Sequence, residues 1–425
     1  MVERLLQAQG FRLAAEPFSP WCRCASGGSV ALGSSLAAFF GLIYIQDRSS
    51  MLPPLALASA DATGPEWLDA RVVLDMCSSP GGKSGFLAQL VGPDGLVLAN
   101  EPDRERLATL RRNMVRLNLL NVATTQNPGD RLPLEDASVA AILLDPPCSG
   151  WGTVEKHPRV ERIWREDKVE PLLALQRRLL AEAARILAPG GRLVYSTCTT
   201  NVRENEEQIA RAVSTLGLTL VPLSPFPGFV FDDPADPALP GVLRVNGAQS
   251  AAQGFFIAAL AKPGVRPDRG PPGDAAAACP GDGTPVPSVP GAEGVLTPDG
   301  RTSADQEHGL VPRGSVCRYG DTAYFLPAAA VDSLPERLRW QGFPLGRVGP
   351  DGLRPNARTR RLLPPVERVG RSLNLEDAEI LASLLSGRSL QLETPAADSR
   401  LPLYFQSLAL GWLRVRQRRA VWSER

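Results

Sequence analysis

A chain of 425 residues, 44% hydrophobic and 21% charged, has material for two to three globular domains. Its net charge of +1 gives no global signal for a polyanionic partner, and no apolar run approaches the length that crosses a bilayer. Seven scattered cysteines are an odd set that argues against a disulfide framework. The two histidines, His157 and His308, and the closely spaced Cys22 and Cys24 do not suit zinc.

Residues 1–70 read as a small opening region. Its start, Met1-Val2-Glu3-Arg4, lacks the basic stretch and apolar core of a leader, so a cytoplasmic protein is expected. Leu5, Leu6 and Phe11 suggest a short helix. The stretch from Gly41 to Pro54 reads as strand, turn and a helix opened by proline. Packing against the next domain and contact with substrate are both open roles for it.

Residues 71–262 alternate strand and helix, the pattern of a doubly wound α/β domain. Strands are expected at Val72 to Asp75, Leu96 to Asn100, Val122 to Thr125, Val139 to Asp145, Arg192 to Ser196 and Gly254 to Leu260. Helices are expected at Arg104 to Leu117, Leu172 to Leu187 (closed by Pro189-Gly190-Gly191) and Glu204 to Val213. The first strand runs into Cys77-Ser78-Ser79-Pro80-Gly81-Gly82-Lys83-Ser84, a turn that opens a helix. Its free N–H groups can hold polar or anionic groups, and its glycines let a ligand approach the backbone. The turn nearly fits a phosphate-binding loop. Cys77 replaces the first glycine of that pattern, however, and Pro80 removes an N–H. The dinucleotide fingerprint is absent.

Ligands of such a fold lie at the carboxyl ends of the strands, where polar chemistry gathers here. Asp75 ends the first strand. Glu101 follows the second, placed to accept both hydroxyls of a ribose. Asp145 opens Asp145-Pro146-Pro147-Cys148-Ser149-Gly150, and Ser196-Thr197-Cys198-Thr199 ends the fifth strand. A lone cysteine is more often core than catalytic. Two thiols after strands in one crevice shift that balance strongly.

Residues 263–315, rich in proline, glycine and alanine, read as a flexible linker. Residues 316–425 form a last domain, with strands at Ala323 to Leu326 and Leu408 to Leu413 and a helix at Leu375 to Leu385. From Val316 onward there are 17 Arg, no Lys and 11 acids, a local surplus of +6. Arg414, Arg416, Arg418 and Arg419 follow Trp412, a combination suited to phosphate contact and base stacking.

The turn from Asp75 to Ser84, the two cysteine motifs and Gly254-Phe255-Phe256-Ile257-Ala258 together resemble the Nop/Sun family of RNA cytosine-C5 methyltransferases. The likeness is strongest to the bacterial RsmF-type enzymes of 16S ribosomal RNA. Gly41 to Leu52, with Gln46 and Ser50, is similar to that family's N-terminal segment, and Gly411-Trp412 to its terminal RNA-binding module. The resemblance covers residues 1–262 best. It implies a Rossmann-like class I methyltransferase domain between a small N-terminal RNA-binding region and a C-terminal basic α+β RNA-binding domain. The implied cofactor is S-adenosyl-L-methionine, held by Cys77, Ser78, Ser79, Pro80, Gly81, Gly82, Lys83, Glu101, Asn127 and Asp145.

The resemblance further implies that Cys198 is the nucleophile and that Cys148 assists product release, with Cys148 the rival nucleophile. A thiolate is needed because cytosine C5 attacks a methyl sulfonium only after a nucleophile adds to C6. Lys83 or a helix N-terminus is a candidate for lowering its pKa. Two positions depart from the family pattern. Pro128 stands where an acid usually meets the adenine, leaving Asn127 or Asp130 as substitutes, and Gln253 replaces an acid. The implied partner is RNA, namely ribosomal RNA or the small subunit, met by a monomer with no membrane. The target base must be unpaired or flipped, and Arg159, Arg162, Trp164 and Arg165 are candidate contacts. The rival readings are a binding-only ribosome-assembly factor, a methyltransferase of tRNA, and an amino-group methyltransferase, whose motif has an aromatic residue where Cys148 stands.

Overall fold

The computed structural model describes residues 1–59, 72–155, 159–160, 168–265, 279–286, 313–350, 352–361, 363, 365–369, 371–393 and 400–423. The chain opens with a helix, Val2–Gln7, which buries Leu5 and Leu6. An antiparallel hairpin follows, β1 (Phe11–Ala15) with β2 (Arg23–Gly27). Phe11 was expected on the helix. Gly10, at φ 80°, turns the chain instead, so Phe11 begins β1. The strand expected after Gly41 is also absent. Residues 42–47 join no sheet, and the helix that follows, Leu52–Ala58, does open with proline. Gly41 sits at φ 61° with its Cα against the Arg116 carbonyl, where a Cβ would approach that oxygen to 1.9 Å. The segment is thus pressed onto the helix Arg104–Leu117.

The central sheet contains β3 (Val72–Asp75), β4 (Leu96–Asn100), β5 (Val122–Thr125), β6 (Val139–Leu144), β7 (Leu187–Thr197), β8 (Thr219–Val221), β9 (Phe231–Asp232), β10 (Leu243–Val245) and β11 (Phe255–Ala261). The order β5-β4-β3-β6-β7 is parallel throughout, and β11 closes on β7 antiparallel. Its strands are nearly continuous apolar runs, because helices cover both faces. Leu87, Leu107 and Leu110 pack with Val97 and Leu143 on one face. On the other, Leu180 and Ile209 pack with Leu74, Leu98, Ile142 and Tyr195. Strand order reverses between β3 and β6, which leaves a crevice at the carboxyl ends. The helices Arg104–Leu117, Glu170–Ile186 and Glu206–Thr215 lie close to their expected places. Pro189-Gly190-Gly191, expected to close the second of these helices, is not a loop after its end. It lies inside β7, which pairs irregularly with β6 there.

The C-terminal part contains two five-stranded sheets. The first joins β12 (Thr284–Pro285), β13 (Gly314–Tyr319), β14 (Thr322–Pro327), β16 (Phe343–Gly349) and β17 (Gly352–Pro355). Between β14 and β16, β15 (Trp340–Gln341) leaves this unit and pairs antiparallel with β5, extending the central sheet. The second sheet joins β18 (Leu373–Leu375), β19 (Leu390–Gln391), β20 (Arg400–Phe405), β21 (Leu408–Arg416) and β22 (Arg419–Val421). Leu375 ends β18, and the expected helix starts only at Ala378, capped by Asp377.

Three expectations change here. Part of the proline-rich segment is built into a sheet, since β12 pairs with β13. Cys279, ahead of β12, and Cys317 in β13 form a disulfide, and five cysteines are free. Trp412 is 3% exposed and donates its indole N–H to the Thr359 carbonyl (2.6 Å), so it is not a stacking platform. Arg414, Arg416, Arg418 and Arg419 are exposed.

Candidate active site

The parallel strands deliver the predicted residues to one crevice. Asp75 ends β3 and is 1% exposed. Its Oδ2 accepts a hydrogen bond from Ser84 Oγ (2.6 Å), which ties the strand to the first turn of the helix Gly82–Leu90. Burial raises the Asp75 carboxyl to about 6, opposed mainly by that hydrogen bond. Between them run Cys77, Ser78, Ser79, Pro80 and Gly81. Ser78 N–H donates to the Asn100 carbonyl (2.9 Å), so the turn is fastened to the end of β4.

The two glycines of the turn answer to protein neighbours. Gly81 takes φ 105°, and a Cβ there would meet Met114 at 2.5 Å. At Gly82 it would meet the Gln46 amide oxygen at 2.7 Å and Tyr44 at 2.8 Å. The N-terminal segment therefore packs onto the turn. It is held from behind by Asp47, whose Oδ1 accepts from Gln253 N–H (3.0 Å), and by Arg48, paired with Glu16 at 2.8 Å and stacked over Phe229.

Glu101, at the end of β4, is 1% exposed. It accepts from Asp103 N–H at 3.0 Å and lies 3.3 Å from Arg106. Asn127 follows β5. Its backbone is stapled by the Asn100 side chain, which donates to the Asn127 and Met76 carbonyls (both 3.1 Å) and accepts from Asn127 N–H (3.0 Å). Of the two substitutes for the missing acid, Asp130 is engaged by Arg178 at 2.8 Å, while Asn127 stays at the strand end. Pro128 is exposed.

Asp145, after β6, lies between this half and the thiols. One carboxylate oxygen accepts from Lys83 Nζ (2.7 Å) and the other from Ser196 Oγ (2.8 Å). Burial pulls the Lys83 ammonium down, but the charge and hydrogen bond of Asp145 outweigh it and leave Lys83 above its ordinary value. Cys148 and Cys198 stand 3.4 Å apart, sulfur to sulfur. The two thiols titrate apart. Cys198 sits below the ordinary thiol value because Cys148 donates to its sulfur, with burial and the Asp145 charge opposing and Lys83 helping. Cys148 is pushed well up by the same hydrogen bond and by burial.

Glu204 was not singled out in the sequence. It is fully buried and gathers the Cys148 loop. Its carboxylate accepts from Ser149 N–H (2.9 Å), Ser149 Oγ (2.5 Å), Gln176 Nε2 (3.0 Å) and Asn201 Nδ2 (3.1 Å). Gly152 then bridges Cys198 to Gly254 through backbone hydrogen bonds of 3.0 Å. Arg159 is exposed, and Arg162, Trp164, Arg165, His157 and His308 lie outside the described residues. Among the described residues no cluster suits a metal ion, and no helix is long and apolar enough to cross a membrane.

Residues 66–261 match the model of the 16S rRNA methyltransferase RsmB/F family. A ribosomal RNA small subunit methyltransferase F from Shewanella loihica is 37% identical over 268 residues, covering 61% of this chain and 53% of that one. A protein of the same name from Salmonella typhi is 33% identical over 415 residues, covering 92% and 80%. A solved methyltransferase homolog protein from Pyrococcus horikoshii is 32% identical, with 62% of this chain and 83% of that chain covered and a TM-score of 0.51. The match spans about half the length of the first of these relatives. With the Salmonella protein matched over four fifths of its length and the paired thiols at the ends of a doubly wound sheet, the chain belongs to the 16S rRNA methyltransferase RsmB/F family.

Proposed function

We propose that this protein transfers a methyl group from S-adenosyl-L-methionine to C5 of a cytosine in RNA, with small-subunit ribosomal RNA as the substrate. One observation carries the reading: two thiols 3.4 Å apart beside a Lys83–Asp145 pair that joins them to a Gly-rich turn. A binding-only protein has no use for that arrangement.

The residues present fit the cofactor. Glu101 offers a buried carboxylate beside the turn, suited to a ribose diol, and the helix Gly82–Leu90 offers N-terminal N–H groups. Ser78, Ser79, Pro80, Gly81, Gly82 and Lys83 form the wall between them, with Cys77 and Asn127 at its ends. When bound, the cofactor supplies an electrophilic methyl group on a sulfonium.

The Cys198 thiolate adds to C6 of the cytosine, forming the S–C6 bond and moving electron density onto C5 and N3. Asp145, held by Lys83 and Ser196, borders the base and accepts from its 4-amino group, while the Lys83 ammonium beside it offsets the charge that reaches N3. C5 takes the methyl group. Its proton then leaves, the C5–C6 double bond re-forms and Cys198 departs as thiolate. Cys148 serves this release. Its thiol proton is first donated to Cys198 and passes to solvent once the Cys198 sulfur is bonded to carbon, and the Cys148 thiolate then takes the C5 proton.

Replacing Cys148 by Ala is expected to trap a protein–RNA adduct that survives denaturing gels. Replacing Cys198 by Ala is expected to abolish both methylation and adduct. An adduct with Cys198→Ala instead reverses the two roles. Nucleoside mass spectrometry showing an N4-methyl product sinks the C5 assignment.

A further inference from the structure

Thr125, the last residue of β5, is fully buried, and its one hydroxyl has two partners. The Arg339 carbonyl lies 2.8 Å from Oγ1, and the Asn127 side-chain amide 2.6 Å. A backbone carbonyl can only accept, so the hydroxyl proton goes to Arg339. The hydroxyl oxygen is then an acceptor toward Asn127, and the Asn127 group facing it must be the NH2. The amide oxygen of Asn127 is thereby committed to the opposite side, with no protein donor among the described residues. Arg339 is 214 positions away in sequence. It is brought there by β15, whose Trp340 pairs with Thr125. Asn127 itself is not free to shift, since Asn100 holds its backbone N–H and C=O.

We propose that Thr125, anchored by the Arg339 carbonyl, is a positioning residue that fixes the Asn127 amide with its oxygen outward, so that Asn127 accepts a hydrogen bond from the 6-amino group of the cofactor's adenine. This rests on the cofactor reading above. It assigns Asn127 the task that an acid one position later would perform, and it makes the C-terminal part of the chain a component of cofactor selection. A carboxylate needs no such orientation, because both its oxygens accept. An amide does, because turning it over presents a donor.

The edge of the base supplies the test. Hypoxanthine carries a carbonyl where adenine carries the amino group, so a fixed acceptor rejects it and a freely turning amide does not. Calorimetric affinities of the full-length protein for S-adenosylhomocysteine and S-inosylhomocysteine give the ratio to follow. The wild-type protein is expected to favour the adenosyl compound by about tenfold, the order of one well-made hydrogen bond against an opposed pair. Thr125→Val, close in shape but without the hydroxyl, is expected to bring the ratio near unity, and Thr125→Ser to keep it. Asn127→Ala is expected to lose the preference by weakening the adenosyl compound. A wild-type ratio retained in Thr125→Val, or in Asn127→Ala, overturns the proposal. If the wild-type protein binds neither compound, the cofactor reading itself fails, which is a separate result.

Discussion

At Cys198 the relevant quantity is thiolate character, because a thiol does not add to C6. Two neighbouring side chains favour it, the Cys148 donor and the Lys83 charge, against burial and the Asp145 charge. The sign follows from electrostatics. A cation beside the sulfur favours the ionised form and depresses its titration, so removing that cation raises it. Replacing Lys83 by Met is therefore expected to move the pH profile of Cys198 alkylation by iodoacetamide to higher pH and to slow it at neutral pH. Peptide mass spectrometry reads this without any substrate. A profile that stays in place would mean that Cys148 alone holds the thiolate. Both cysteines are legible in the sequence because each follows an apolar run that can only be a buried strand. The polarisation between them is not, because it depends on a 3.4 Å contact between residues 50 positions apart.

Elements differ in how far local sequence determines them. The helix Arg104–Leu117 could be read to the residue, since Asp103 accepts from the N–H groups of Glu105 and Arg106 and its leucines recur at helical spacing. The edge of the sheet could not, because β15 is two residues borrowed from a unit more than 200 positions away. The loop carrying Cys148 is a similar case. Nothing in Asp145-Pro146-Pro147-Cys148 announces that its shape is kept by Glu204, the last residue of the short 3-10 helix Val202–Glu204. Replacing Glu204 by Ala removes the acceptor shared by the Ser149 N–H and hydroxyl and the Gln176 and Asn201 amides, of which Gln176 keeps the Pro147 carbonyl and the Ser149 hydroxyl keeps Thr199. The expected loss is about 3 kcal/mol of unfolding free energy in urea titration. Glu204→Gln keeps the volume but turns one donor against another. It is expected to slow release more than methyl transfer, so that covalent adduct accumulates as with Cys148→Ala. If adduct fails to accumulate in Glu204→Gln while methylation falls, Glu204 acts on the first addition instead.

On the scale of the whole molecule, the two ends of the chain share a core. Leu5, Leu6, Phe11, Leu36 and Phe40 from the start pack with Leu381, Leu403, Leu413 and Trp422 from the end. Phe39 and Phe40 meet the Trp422 ring edge-on at 5.9 Å and 5.3 Å. Arg360 crosses the same junction. It is 7% exposed and donates to the carbonyls of Phe40, Gly41, Arg116 and Leu117, so it binds start, middle and end together. Burial first, then the neighbouring Arg361 and Arg358, push its guanidinium down to about 9. Neither end therefore has a complete core without the other, and the N-terminal segment that packs on the Gly-rich turn depends on residues at the far end of the chain. Trp422→Ala is expected to lose about 3 kcal/mol or more, the usual result of emptying a buried aromatic site. Where the loss appears decides between a shared core and two separate ones. In hydrogen exchange, a shared core loses protection in residues 1–40 together with β20 to β22, while the helices Gly82–Leu90 and Arg104–Leu117 keep theirs. Loss confined to β20 to β22 would mean that the N-terminal region stands alone. In the shared case cofactor affinity is also expected to fall, because Tyr44 and Gln46 reach the turn from that same N-terminal region.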